Sequence, residues 1–117
     1  MKVLVCGSRR FADPFRVSLA IDARMRALPK RAAVIHGAAQ GADRIAAEAA
    51  HRCGHTVKSF PADWKTYGKR AGFVRNREML DQHPDLVIAF WDGQSRGTAH
   101  TINTAKARGI PVEVIAS

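Results

Sequence analysis

Short apolar runs alternate along this chain with segments whose apolar positions recur at helical spacing. Five of these runs predict β-strands, over residues 2–6, 33–36, 55–60, 85–90 and 111–115. In the segment after the first run, Val17, Ile21, Met25 and Leu28 form one stripe of an amphipathic helix. Residues 61–72 show neither period, so we expect a long loop there.

Four helices are predicted, beginning at Pro14, covering 42–53, covering 73–82, and running from Thr98 to Gly109. Asp13 is the expected N-cap of the first helix, since an aspartate followed by proline is a typical helix start. Gly54 is expected to end the second helix, because glycine readily takes the left-handed conformation found at helix C-termini.

The alternation of strands and helices predicts an α/β fold with a parallel sheet between two helical layers, formed by residues 1–117 as a single domain. The runs at 2–6 and 85–90 are continuously apolar, as central strands are. The runs at 55–60 and 111–115 alternate, as edge strands do. We therefore expect the strand order 3-2-1-4-5, and a ligand at the reversal between strands one and four.

Glycine-bearing turns follow the first, second and fourth strands, where a parallel sheet brings them to one edge. Their candidate ligand-binding residues are Gly7, Ser8, Arg9, His36, Gly37, Gly41, Asp43, Gly93, Arg96, Gly97 and Thr98. Any single turn of this kind is typical of a strand-to-helix connection. Three turns together, with arginines nearby, indicate a phosphate site, because glycine permits close approach and helix N-termini attract anions.

The common nucleotide motifs are absent from these turns. Residues 37–41 read G-x-x-x-G, which is neither the dinucleotide fingerprint nor a P-loop. No acidic residue ends the second strand, so NAD and FAD are not expected, and no cofactor is predicted.

Charge and composition narrow the class of partner. The net charge of +9 favours an anionic partner, which can be nucleic acid, a nucleotide or a membrane surface. Nucleic acid is less favoured, because much of the charge lies near the predicted site. Five scattered histidines lack ligand spacing, so no metal site is predicted, and His51, His55 and His83 are expected at the surface. No apolar run is long enough to span a membrane. Cys6 and Cys53 are interpreted as reduced thiols, which favours a cytoplasmic location.

Several stretches taken together resemble the YspA-type branch of the SLOG superfamily, which includes the DNA-processing protein DprA and the Lonely Guy (LOG) cytokinin-activating enzymes. They read GSRRF, HGAAQGAD, FPADW, YGKRAG, RNREM and PDLVIAF, followed by G-T-A at 97–99. The resemblance implies a Rossmann-like fold and a nucleotide or nucleotide-derived ligand. Because LOG-type relatives pair through helices, the resemblance also implies that this chain can form a homodimer.

LOG enzymes cleave the N-glycosidic bond of nucleoside 5′-monophosphates, and their motifs can be carried onto this chain. Arg75 and Asn76 fall on their arginine and lysine, and Gly97 and Thr98 fall on their glycine and threonine. Their catalytic glutamate falls at Thr101, which has no carboxylate to stabilise an oxocarbenium-like centre.

Other residues near the predicted site leave catalysis open. Arg75 is a candidate catalytic residue. Asp92 and Glu78 are candidates for the acid that replaces the missing glutamate, and Asp43 is a further carboxylate at a helix start. Trp64, within a loop rich in lysine and arginine, is a candidate for stacking on a base. Three hypotheses remain open: a nucleotide sensor, an N-glycosidase with an atypical acid, and a DprA-like DNA-associated module.

Overall fold

The computed structural model of the chain describes residues 1–8, 14–37 and 42–116. Its elements, in chain order, are β1 (Lys2–Gly7), α1 (Pro14–Ala27), β2 (Ala33–His36), α2 (Ala42–Arg52), β3 (Thr56–Ser59), α3 (Trp64–Tyr67), a 3₁₀ turn (Gly68–Arg70), α4 (Ala71–Leu80), β4 (Leu86–Trp91), α5 (Arg96–Ala107) and β5 (Val112–Ala116). Asp13, the predicted cap of the first helix, lies outside the described residues.

The strands form one parallel sheet in the order β3-β2-β1-β4-β5. Val3 of β1 is paired with Val34 of β2 and with Leu86 of β4, so β1 lies at the centre. The predicted order is confirmed. It follows from burial, because the central strands are covered on both faces whereas β3 has no fully buried residue.

Alternate residues of β1 enter two separate apolar clusters, one on each face of the sheet. Val3 and Val5 pack with buried residues of α1 and α2. Leu4 and Cys6 pack with buried residues of α4 and α5. The predicted three-layer α/β architecture is therefore confirmed, with helices on both faces of the sheet.

The prediction of a long loop at 61–72 is wrong. Much of this segment is occupied by α3, the 3₁₀ turn and the start of α4. Asp63 caps α3 by accepting a hydrogen bond at Oδ1 from the Thr66 N–H, at 3.1 Å. Neither α3 nor the 3₁₀ turn has a buried residue. A helix that buries nothing leaves no apolar period in the sequence, which explains the error.

The last helix begins at Arg96, with Ser95 as its N-cap, rather than at Thr98. Thr98 lies inside the first turn and is 5% exposed. Serine and threonine are both common N-cap residues, so their order in the sequence does not decide which of them caps the helix.

His55 is buried, contrary to the expected surface position. Its Nδ1 accepts a hydrogen bond from the Ala32 N–H at 3.2 Å, and its Nε2 lies 2.8 Å from the Met25 carbonyl oxygen. The ring therefore links the residue directly before β2 to α1. Both contacts join residues far apart in the sequence, so no local pattern predicts them. His51 and His83 are exposed, as expected. None of the helices in the described ranges has the length and apolarity needed to cross a bilayer.

Candidate functional site

A cavity of about 510 Å³ opens at the carboxyl edge of the sheet, where the strand order reverses between β1 and β4. Its lining comes from the end of β1, the start of α2, the segment from α3 to α4, and the segment from β4 into α5. The lining residues are Cys6, Gly7, Asp43, Trp64, Lys69, Gly72, Phe73, Arg75, Asn76, Met79, Asp92, Gln94, Ser95, Gly97, Thr98 and Thr101.

The first turn of α5 forms one side of this cavity. Ser95, the N-cap, makes no side-chain capping bond to the backbone, and its hydroxyl donates instead to the Thr98 hydroxyl at 3.3 Å. The first N–H groups of an α-helix have no partner within the helix, and its N-terminus carries a partial positive charge. A Cβ added at Gly97 would meet no atom within 4 Å, so the backbone there is open to close approach. This turn has the properties of an anion site.

Asp92 organises the loop between β4 and α5. Its Oδ1 accepts hydrogen bonds from the N–H groups of Gln94 and Ser95, both at 2.8 Å. These bonds, with the Ser95 N–H first, hold the pKa of the carboxyl below its usual range. Ser8 supports the same loop, since its Oγ accepts a hydrogen bond from the Asp92 N–H at 3.2 Å. At neutral pH Asp92 therefore contributes a carboxylate to the cavity and has no proton to donate.

Arg75 also lines the cavity, and two of its hydrogen bonds fix the guanidinium there. Its Nη1 donates to the Gly37 carbonyl oxygen at 2.6 Å, and its Nε donates to Asn76 Oδ1 at 3.0 Å. The Gly37 N–H donates to Asp43 Oδ2 at 3.0 Å. A Cβ at Gly37 would lie 2.4 Å from Nη1, so glycine is required for the guanidinium to take this position.

Asn76 extends this network from α4 to α5. Its Nδ2 donates to the Gly97 carbonyl oxygen at 3.2 Å and lies 3.4 Å from His100 Nδ1. Burial, followed by the nearby charge of Arg77, lowers the pKa of His100 from its ordinary value, which favours the neutral ring that can accept this bond. Asn76 thus links the arginine to the start of α5.

The outer side of the cavity is aromatic and basic. We refer to residues 64–73 as the aromatic wall, because Trp64 and Phe73 lie on it and both line the cavity. Trp64 is 57% exposed and Phe73 is 41% exposed. Lys69 lies between them in the sequence and also lines the cavity.

The cavity carries both signs of charge. Lys69 and Arg75 provide the cations, and Asp43 and Asp92 provide the carboxylates. Within the described ranges, no cluster of three or more histidine, cysteine or acidic side chains is arranged to hold a metal ion. The arrangement suits a small molecule with an anionic group at one end and hydroxyl groups elsewhere.

Many of the residues singled out from the sequence do meet in this cavity. Those that line it are Gly7, Asp43, Trp64, Arg75, Asn76, Asp92, Gly97 and Thr98. Those described but outside the lining are Ser8, His36, Gly37, Gly93, Arg96 and Glu78. Arg9 and Gly41 lie outside the described residues.

The residues outside the lining have identifiable positions. Ser8 and Gly37 support Asp92 and Arg75 through the hydrogen bonds given above, and Gly93 has a positive φ of 82° that the turn requires. His36 is buried at the end of β2, where burial and then the charge of His51 lower its pKa. Glu78 is exposed on α4, away from the cavity.

Sequence reasoning missed several lining residues, namely Cys6, Lys69, Gly72, Phe73, Met79, Gln94 and Ser95. Cys6, interpreted from the sequence as a reduced thiol, is buried, and burial raises the pKa of the thiol. Lys69 belongs to the basic segment that the sequence does show. Phe73 lies one helical turn before Arg77, and only the packing of α4 beside α5 places it at the cavity.

Comparison with known proteins identifies the family of this chain. Residues 1–67 match the family described as the YspA, cpYpsA-related SLOG family. The Gene 61 protein of Mycobacterium phage D29 is 39% identical over 116 residues, a match covering 95% of this chain and 93% of that protein. No solved structure matches the chain significantly. With the predicted strand order confirmed as well, the chain belongs to the YspA, cpYpsA-related SLOG family.

Proposed function

We propose that this protein binds a nucleotide or a nucleotide-derived small molecule in the cavity at the strand reversal, and that it acts as a sensor of this ligand. One observation carries the proposal: Arg75, Lys69 and the first turn of α5 converge on a single cavity of about 510 Å³. This volume is within the range of small-molecule sites. Membership of the SLOG family agrees with a nucleotide-related ligand.

The phosphate is assigned to the first turn of α5. The loop N–H groups of Gln94 and Ser95 already bond to Asp92, so the N–H groups of Arg96, Gly97 and Thr98 are the better donors. Arg75 and Lys69 supply the compensating charge, and the carboxylates of Asp43 and Asp92 are acceptors suited to ribose hydroxyls. A homodimer and a cytoplasmic location, both expected from the sequence, remain predictions.

Binding is favoured over turnover because of Thr101. It lines the cavity where the LOG resemblance places a catalytic glutamate, and its hydroxyl donates to the Gly97 carbonyl oxygen at 3.3 Å. The alternative, an N-glycosidase, is supported by one observation: Asp92 lines the cavity as a carboxylate. A carboxylate can stabilise an oxocarbenium-like ribosyl centre, although Asp92 cannot protonate the leaving base.

The proposal is tested by a thermal-shift screen against nucleoside monophosphates, cyclic nucleotides and ADP-ribose-type nucleotides. A ligand at 100 times its Kd adds about 2.7 kcal/mol to the free energy of unfolding. This corresponds to a rise in Tm of roughly 10 °C for a domain of this size. Chromatography of each stabilising ligand then distinguishes an intact nucleotide from free base plus ribose 5-phosphate.

Arg75→Ala is the informative variant, and Arg77→Ala is its matched control on the exposed side of the same helix. Loss of a charge-assisted hydrogen bond costs about 1.5–3 kcal/mol, so we expect Arg75→Ala to weaken binding roughly 10- to 150-fold. Arg77→Ala should bind as the parent does. Equal affinities in the two variants, or no stabilising nucleotide at all, would contradict the proposal; release of free base would establish the glycosidase.

A further inference from the structure

The aromatic wall exposes large apolar surface where it faces the cavity. Trp64 is 57% exposed and Phe73 is 41% exposed, and both line the cavity. Tyr67, on the same one-turn helix as Trp64, is 39% exposed and does not line the cavity. Exposed apolar surface inside a concave site is typical of a surface that a ligand covers.

The part of the wall that carries Trp64 gains little from packing in the absence of a ligand. The segment Trp64–Arg70 has no buried residue, so its indole does not serve as an anchor of the core. A tryptophan that anchored this segment would be buried against the core. The position of Trp64 at the cavity is therefore better explained by a bound group than by folding.

Phe73 is held in place from the side of α5. Its ring contacts the His100 ring with centroids 4.5 Å apart at an interplanar angle of 49°. His100 is in turn beside Asn76 Nδ2, at 3.4 Å from Nδ1. The network that holds Arg75 therefore also holds the Phe73 ring. It connects the first turn of α5 with the aromatic wall.

The charges of the wall define the chemistry of the group that stacks there. Lys69 lines the cavity, and Lys65 and Arg70 are exposed on the same segment. Flat aromatic faces beside cations suit a planar heterocycle that is attached to phosphate, since every nucleobase presents a π-face. A sugar phosphate that has no base would leave both rings uncovered.

We propose that the aromatic wall is the base-recognition half of the site, with Trp64 and Phe73 stacking on the base while Lys69 faces its phosphate-bearing side. The ligand class is then a nucleoside phosphate with its base attached, and purines bind more tightly than pyrimidines because they cover more of the rings. This inference rests on the proposed function, and it adds that the base, and not only the phosphate, supplies affinity.

Isothermal titration calorimetry with AMP, GMP, CMP, UMP and ribose 5-phosphate tests the inference. Aromatic stacking on a base, measured by alanine substitution, corresponds to a loss of roughly 5- to 100-fold in affinity. We expect this loss for Trp64→Ala with the nucleotide that binds best, and no change for ribose 5-phosphate. Tyr67→Ala, on the same helix and outside the cavity lining, is the matched control and should bind like the parent.

Fluorescence gives a second readout that does not depend on truncation. The chain has two tryptophans, Trp64 and Trp91. A stacked base should quench Trp64, and the quenching should disappear in Trp64→Phe while affinity stays within about threefold, because a stacking ring is retained. Since Trp64 is exposed, neither variant should change the Tm of the free protein.

The outcomes separate this inference from the proposed function. If ribose 5-phosphate and the nucleotides bind with equal affinity, or if Trp64→Ala binds the nucleotide as tightly as Tyr67→Ala does, base recognition by the wall is overturned while phosphate binding stands. If neither ribose 5-phosphate nor any nucleotide binds, both the inference and the proposed function fail.

Discussion

Gly37 is the residue whose missing side chain decides where the Arg75 guanidinium lies. Its carbonyl oxygen accepts from Nη1 at 2.6 Å, and its N–H donates to Asp43 at 3.0 Å. Arg75 of α4 and Asp43 of α2 thus both bond to this glycine, although the two helices lie on opposite faces of the sheet. No backbone strain is involved, since only the close approach of the arginine excludes a Cβ.

Gly37→Ala should therefore displace the guanidinium without removing its charge. The added Cβ would lie 2.4 Å from Nη1, the flexible end of a long side chain, so the arginine moves rather than the sheet. We expect loss of the bond to the Gly37 carbonyl oxygen, about 1–3 kcal/mol in the free energy of unfolding, and weaker nucleotide binding. Urea denaturation and calorimetry measure the two effects.

A double-mutant cycle with Arg75→Ala provides the control for this prediction. If Gly37→Ala acts through the arginine, it should add little once Arg75 has been truncated. An undiminished effect of Gly37→Ala in the Arg75→Ala background would show that the glycine matters for another reason.

Among the helices, α3 differs from the others because it buries none of its residues. Its N-cap bond from Asp63 and its contact with α4 hold it in place, with little apolar burial to add. Segments of this kind open locally at low free energy, independently of the core. The helix that presents Trp64 to the cavity is therefore expected to be separable from global folding.

Asp63→Ala should loosen α3 and leave the rest of the fold unchanged. Removal of an N-cap side chain costs about 1 kcal/mol of helix stability. We expect faster hydrogen exchange at the Thr66 and Tyr67 amides and weaker nucleotide binding, while the Tm remains within error of the parent. Asp63→Asn, which keeps a capping oxygen, is the matched control. A large fall in Tm for Asp63→Ala would show that α3 is part of the cooperative core.

The free energy of unfolding of the whole domain depends on pH, because folding shifts the pKa values of several groups. Burial is the first cause that lowers the pKa of His36 and of His100 from the ordinary value of 6.5. Hydrogen bonds lower the pKa of Asp63 and of Asp92 from 3.8. In both cases the unfolded chain binds protons more readily than the folded one, so acid destabilises the protein.

The free energy of unfolding should therefore decrease as pH falls below about 6.5, because the unfolded histidines take up protons that the folded ones resist. A further decrease is expected below about pH 4, when Asp92 loses its hydrogen-bonded charge; Asp63 caps only α3, which opens separately from the core. Denaturant titrations between about pH 7.5 and 2.5 measure both decreases. His36→Gln should flatten the first decrease; a stability that is constant from pH 7.5 to 5.5 in the parent would contradict the assignment.

The fold was predictable because buried apolar positions recur along the sequence with the period of a helix or a strand. The five strands and their order follow from continuous apolar runs in the centre and alternating runs at the edges, and the structure confirms both. The position of many candidate residues at the cavity was predictable for a related reason, since parallel strands bring all their carboxyl ends to one edge. Gly7, Asp92 and Thr98 line the cavity on that basis.

The sequence is sufficient to predict the architecture and the edge of the sheet at which the cavity opens. Only the tertiary structure decided how α3 and α4 close over that edge and which side chains meet there. The reason is physical. Apolar burial recurs with a helix or strand period, whereas the contact of Arg75 with Gly37 joins residues 38 positions apart, and α3 buries nothing that could leave a pattern.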